Sequence, residues 1–122
     1  MKILDTLSTT EKILDTSNLV RIYLCGVTVY DESHIGHART IIVFDTLRKY
    51  LESKGIKVNL VQNFTDVDDK IINRANKENV SAGTISTRYI TNYFNDFDKL
   101  NVLRIDPEEI LEEMKVARTK KD

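Results

Sequence analysis

Two short runs rich in β-branched and aromatic residues, VRIYLC at 20–25 and KVNLVQ at 57–62, bracket a stretch of helical periodicity at 36–53. No other feature limits the fold as much. Within that stretch Ile41, Phe44, Leu47 and Leu51 recur at three- and four-residue spacings, and Lys54-Gly55 follows as a stop. A strand, a crossing helix and a second strand of this size make a βαβ unit, whose strands are parallel and whose crossover is right-handed. The strand ends near Cys25-Gly26 and Gln62-Asn63 must then point the same way. Ligands of open α/β sheets bind at the carboxyl ends of the strands, so residues 25–37 and 63–69 are expected to face one crevice.

Helices are expected to follow this core. Thr65 can cap one that carries Val67, Ile71, Ile72 and Ala75 on a single face, with Asn79 as its stop. A second, at about 84–100, stacks Ile85, Tyr89, Tyr93 and Phe97 four apart. A third opens on Asp106, Pro107 and Glu109 and carries Ile110, Leu111, Met114 and Ala117. Residues 2–5 offer a further short strand. The chain of 122 residues, 41% hydrophobic and 30% charged, has material for one core. The expectation is a single α/β domain over 1–122, with its βαβ core at about 20–62 and a helical part at about 66–119.

A net charge of −1 gives no basic field for nonspecific nucleic-acid binding. One cysteine excludes an intrachain disulfide framework and suits a reducing compartment. Neither a signal-peptide core nor a membrane-length apolar run is present, so a soluble cytoplasmic protein with no membrane partner is expected.

The expected crevice holds the chemistry. In His34-Ile35-Gly36-His37, Gly36 leaves room for a ligand beside the backbone, and the N–H groups that open the next helix favour an anion. Two imidazoles there can donate to phosphate oxygens as charge builds during in-line attack on an α-phosphate, about 3–4 kcal/mol per well-placed donor. The alternatives are a polar cap beside a glycine turn, or a pair of metal ligands. Cys25 has three readings: a zinc ligand, a nucleophile, or, favoured from local pattern alone, a buried space-filler. The carboxylates of 63–70, NFTDVDDK, suit a divalent cation or simply a helix dipole. They fail the EF-hand pattern, because Lys70 takes a ligand position and no glycine follows. Asp66 is a candidate for a substrate amine, whereas Lys70 and Arg74 read as a solvated helix face.

Taken together, LCGVTVYD at 24–31, HIGHART at 34–40, VQNFTDVDDKIINRA at 61–75 and YFNDFDKLNVL at 93–103 resemble the N-terminal catalytic region of the cysteinyl-tRNA synthetase family. The resemblance implies the N-terminal half of a Rossmann-type, HUP-like class I synthetase catalytic domain: a parallel βαβ core followed by helices. Such an enzyme condenses cysteine with ATP, accompanied by Mg2+, to cysteinyl-adenylate and transfers the cysteinyl group to tRNA(Cys). His34 and His37 match the catalytic ATP-binding signature, with Gly26 and Gly36 beside the nucleotide. Cys25 matches the first ligand of a Zn2+ that binds the substrate thiolate, a basis for rejecting serine because soft sulfur suits zinc better than a hydroxyl. Thr28, Asn63, Thr65 and Asp66 fall near the amino-acid pocket.

In this family the other zinc ligands and the lysine-rich loop over the phosphates come from beyond residue 122, and Arg118-Thr119-Lys120-Lys121 does not reproduce that loop. A fragment, a split-gene product or a truncated paralogue is therefore expected, with a separately made C-terminal half as a candidate partner. Two alternatives stay open: a truncated, non-catalytic nucleotide- or partner-binding paralogue, and a related cysteine ligase acting on a sugar amine. A small nucleotidyltransferase is disfavoured, since its second motif is matched only by Ile85-Ser86-Thr87-Arg88 inside an expected helix.

Overall fold

A computed structural model describes residues 1–104, so the helix expected from Asp106 and the end of the helical part at 119 lie outside the described residues. The elements in chain order are β1 (Lys2–Asp5), β2 (Thr10–Ile13), β3 (Val20–Leu24), α1 (Ile35–Ser53), β4 (Val58–Gln62), α2 (Asp69–Glu78) and α3 (Ala82–Lys99). β3 and β4 pair in parallel, Val20 opposite Val58 and Leu24 opposite Gln62. With α1 as the crossover this is the βαβ unit that the periodicity predicts. A parallel bridge between Thr28 and Thr65 carries the pairing past both strand ends.

Residues 2–5 do form a strand, but β1 pairs with β2 as a separate antiparallel hairpin rather than joining β3 and β4. Every residue of β2 is exposed. Polar contacts hold the turn: Asp5 pairs with Lys12 at 2.5 Å and accepts from Ser8 Oγ at 2.7 Å. With no buried face, the hairpin leaves no alternation in the sequence to reveal it.

The helix α1 buries Ile41 and Leu51 and half-buries Phe44 and Leu47, and it ends where Gly55 takes a left-handed φ of +77°. Asp45 is also buried, only 6% exposed. Its carboxylate pairs with Lys49 at 2.5 Å and accepts the Leu103 N–H at 3.0 Å, while Lys49 donates to the Asn101 carbonyl at 2.8 Å. These contacts tie the segment after α3 back to α1.

Two apolar clusters form the core. Leu24, Ile41, Leu60, Tyr93 and Phe97 join the sheet to α1 and α3. Val29, Ile71, Ala75, Ile85 and Tyr89 join the segment after β3 to α2 and α3, and Val27 and Phe64 pack against both clusters. Each large side chain buried this way contributes about 1.5–3 kcal/mol. The four-residue ladder of α3 is buried throughout, as predicted, although that helix starts two residues early on a Ser81 cap.

At α2 the structure corrects the expectation. Asp68, not Thr65, is the N-cap, its carboxylate accepting the Lys70 N–H at 2.8 Å. Thr65 is committed elsewhere, its N–H to the Val27 carbonyl and its carbonyl to the Val29 N–H. Helix α2 thus buries Ile71 and Ala75 and leaves Ile72 exposed, while Val67 falls before the helix and is exposed too. Asn79 stops it in the left-handed conformation, as expected.

Candidate functional site

Beyond the carboxyl ends of β3 and β4 lies a crevice of about 400 Å³, lined by Cys25, Gly26, Thr28, His34, His37 and Lys70 among others. That volume suits a small organic ligand. The first polypeptide turn of the crevice is fixed by Asn63. Its Oδ1 accepts the Gly26 N–H at 2.8 Å and the Tyr23 hydroxyl at 2.9 Å. Backbone meets backbone here, since a Cβ on Gly26 would stand 1.3 Å from the Asn63 carbonyl oxygen.

The two histidines begin α1 as a reciprocal cap. His34, in extended conformation, accepts the Gly36 N–H on Nδ1 at 3.1 Å, and His37 accepts the His34 N–H on its own Nδ1 at 3.1 Å. The rings stack with centroids 3.9 Å apart. Gly36 allows this, because a Cβ there would come within 2.9 Å of the His34 ring. A nitrogen that accepts a hydrogen bond carries no hydrogen, so each neutral ring holds its hydrogen on Nε2. Capping and presentation are therefore one act: satisfying the helix start leaves two Nε2–H donors for an anionic ligand in the crevice.

Burial, reinforced by the charge of His34, holds the His37 pKa below its ordinary 6.5. The unfolded chain then binds this proton more readily than the folded one, so the contribution of neutral His37 is complete above about pH 6.5 and is lost as pH falls through the depressed folded value. Urea unfolding midpoints are expected to drop from about pH 7.5 to about pH 5, and to drop less in His37→Ala; equal drops would remove the cap from the pH response.

Of the other residues singled out by sequence, Cys25, Gly26 and Thr28 line the crevice, whereas Asn63, Thr65 and Asp66 do not. Asn63 and Thr65 support its wall through the bonds given above. Asp66 is exposed next to them, its carbonyl accepting from Ser86 Oγ at 2.9 Å. Cys25 is exposed rather than a buried space-filler. Among the described residues no three histidine, cysteine, aspartate or glutamate side chains converge on a metal position. A lone thiolate does not fit zinc, which takes three or four protein ligands.

Lys70 and Arg74 are not a merely solvated face. Lys70 lines the crevice with Nζ 5.3 Å from the centre of the Tyr30 ring, and Arg74 is engaged by Asp31, Glu78 and Tyr89. Tyr30, Asp31, Glu32, Thr40 and Gln62 also line the crevice, although the sequence assigns none of them an individual role. Three of them lie between Thr28 and His34 on the loop at a strand's carboxyl end, which was signal enough. Gln62 is buried and accepts from the Tyr93 hydroxyl at 2.9 Å. Burial pushes the Tyr93 pKa up to about 12, so that hydroxyl remains a donor at any physiological pH. No helix among the described residues is long and apolar enough to cross a membrane.

The family of tRNA synthetases class I (C) catalytic domains matches residues 11–117. A cysteine–tRNA ligase of Lachnoclostridium phytofermentans is 54% identical over 86% of the chain and 23% of its own length. One of Caldicellulosiruptor saccharolyticus is 51% identical over 85% and 23%, and one of Fusobacterium nucleatum 61% identical over 70% and 18%. The chain spans about a fifth of the length of the curated relatives it matches.

Proposed function

Because this chain belongs to the family of tRNA synthetases class I (C) catalytic domains, we propose that it carries the nucleotide-binding part of a cysteine-activating site in a cytoplasmic cysteine–tRNA ligase. The observation that carries the reading is the histidine pair, locked with both Nε2–H donors available at a helix start in the crevice. ATP, with Mg2+, binds there with its α-phosphate against His34 and His37 and its nucleoside close to Gly26 and Gly36. The cysteine carboxylate attacks the α-phosphorus, the bond to pyrophosphate breaks, and the two imidazoles stabilise charge on the phosphate oxygens. Thr28 faces the amino acid and Asn63 and Thr65 hold its wall, whereas Asp66 stands outside the crevice and is given no contact with the substrate.

Cys25 supplies one thiolate, and any zinc takes its other ligands from polypeptide corresponding to the remaining length of the relatives, in the same chain or in a separate C-terminal half. Transfer to tRNA(Cys) also depends on that polypeptide. The names of the relatives favour tRNA over a sugar amine as acceptor.

The test is cysteine-dependent ATP–pyrophosphate exchange by a chimaera in which this chain replaces the matching segment of the Caldicellulosiruptor enzyme. Exchange that disappears in the His34→Ala/His37→Ala double variant is expected. A folded chimaera without exchange, or one indifferent to the double variant, would overturn the assignment.

A further inference from the structure

The loop between Val29 and His34 decides where the histidine pair stands, and side chains hold it. Behind it, Val29 is fixed by its N–H bond to the Thr65 carbonyl. Ahead of it, His34 is fixed by the cap. Between them Glu32 Oε1 accepts from Asn92 Nδ2 of α3 at 2.8 Å, and Asp31 faces Arg74 of α2 at 3.7 Å. The Arg74 guanidinium is itself locked: Nε donates to Glu78 at 2.5 Å and Nη2 to the buried Tyr89 hydroxyl at 2.9 Å. A planar fork already held on two edges presents its third in a set direction, which a lysine could not do.

We infer that Arg74 is a positioning residue: it anchors the Asp31 end of this loop to α2 and α3, and thereby sets where His34 and His37 present their Nε2–H donors. That role matters to catalysis only if the pair binds phosphate, so it rests on the function proposed above. Ion pairs at the surface carry little stability of their own, and Arg74–Glu78 is only half-buried, which leaves placement as the larger consequence of the network.

The chain has two histidines, so its imidazole 15N–1H spectrum contains these rings alone. Arg74→Gln and Asp31→Asn break the contact from opposite sides. Arg88→Gln removes a neighbouring ion pair to Glu78 and leaves the loop contacts in place. Both contact variants are expected to bring the Nδ1 and Nε2 shifts of His34 and His37 closer together, as a fixed tautomer gives way to exchange, while Arg88→Gln matches the wild type. ATP binding by the chain should weaken by about tenfold to a hundredfold in Arg74→Gln and hold in Arg88→Gln. Unchanged rings in Arg74→Gln and Asp31→Asn, or rings that respond equally to Arg88→Gln, would overturn the inference; if Arg74→Gln fails to fold, Asp31→Asn alone decides. Rings that respond to Arg74 in a chain that binds no ATP would keep the positioning role and remove the phosphate reading.

Discussion

Gly26→Ala is expected to destabilise the chain by about 3 kcal/mol, the upper end of the usual cost of overpacking, and to abolish ligand binding in the crevice. The contact it would violate is with backbone, the Asn63 carbonyl 1.3 Å from the added Cβ, so no side-chain rotation relieves it. Relief requires the ends of β3 and β4 to separate. That movement breaks the Gly26 N–H bond to Asn63 Oδ1, and it strains the Thr65–Val27 and Val29–Thr65 bonds that extend the ladder. Gly55→Ala is the control. Its φ of +77° disfavours a side chain, yet nothing lies within 4 Å, so only the conformational cost of about 1–2 kcal/mol applies. Urea midpoints of the two variants measure the difference. Equal losses would mean that the strand ends are not in contact at Gly26.

What the sequence made legible was whatever repeats along it. The periodic Ile41 and Leu51 located α1, and the Ile85, Tyr89, Tyr93 and Phe97 ladder located α3. The parallel pairing that a βαβ unit requires then placed both polar segments at one end of the sheet without any knowledge of contacts. What depended on partners distant in sequence stayed hidden. Thr65 and Asp68 are both cap-forming types, with Asp somewhat the better, and the pairing of Thr65 with residues near position 28 leaves the cap to Asp68. Asp45 looks like a charge on an apolar stripe until the Leu103 N–H, 58 residues on, is seen to need it. Arg74 has the spacing of a surface residue on α2, and its connection to Asp31 crosses from one element to another. Residue type announced the histidines and glycines of the site, but not the groups that hold them.

The largest effect on ligand chemistry is expected at His34, where two roles can be separated by substitution. His34→Ala removes the acceptor for the Gly36 N–H, a cap loss of about 0.5–2 kcal/mol in stability. It also removes one Nε2–H donor, which lowers pyrophosphate exchange in the chimaera by about 100-fold to 1,000-fold. His34→Asn divides these losses. Asparagine is among the best N-cap residues and satisfies the Gly36 N–H, so the urea midpoint should return close to the wild-type value. Its short amide cannot reach where the imidazole Nε2 stood, so exchange should remain near the alanine level. Recovery of exchange along with stability would show that His34 serves only to begin the helix, and would leave His37 as the sole phosphate donor of the pair. Stability without exchange, with the His37 ring shifts unchanged despite the lost stack, would assign the Nε2–H of His34 to the reacting phosphate, because the helix start and the second imidazole would then be intact.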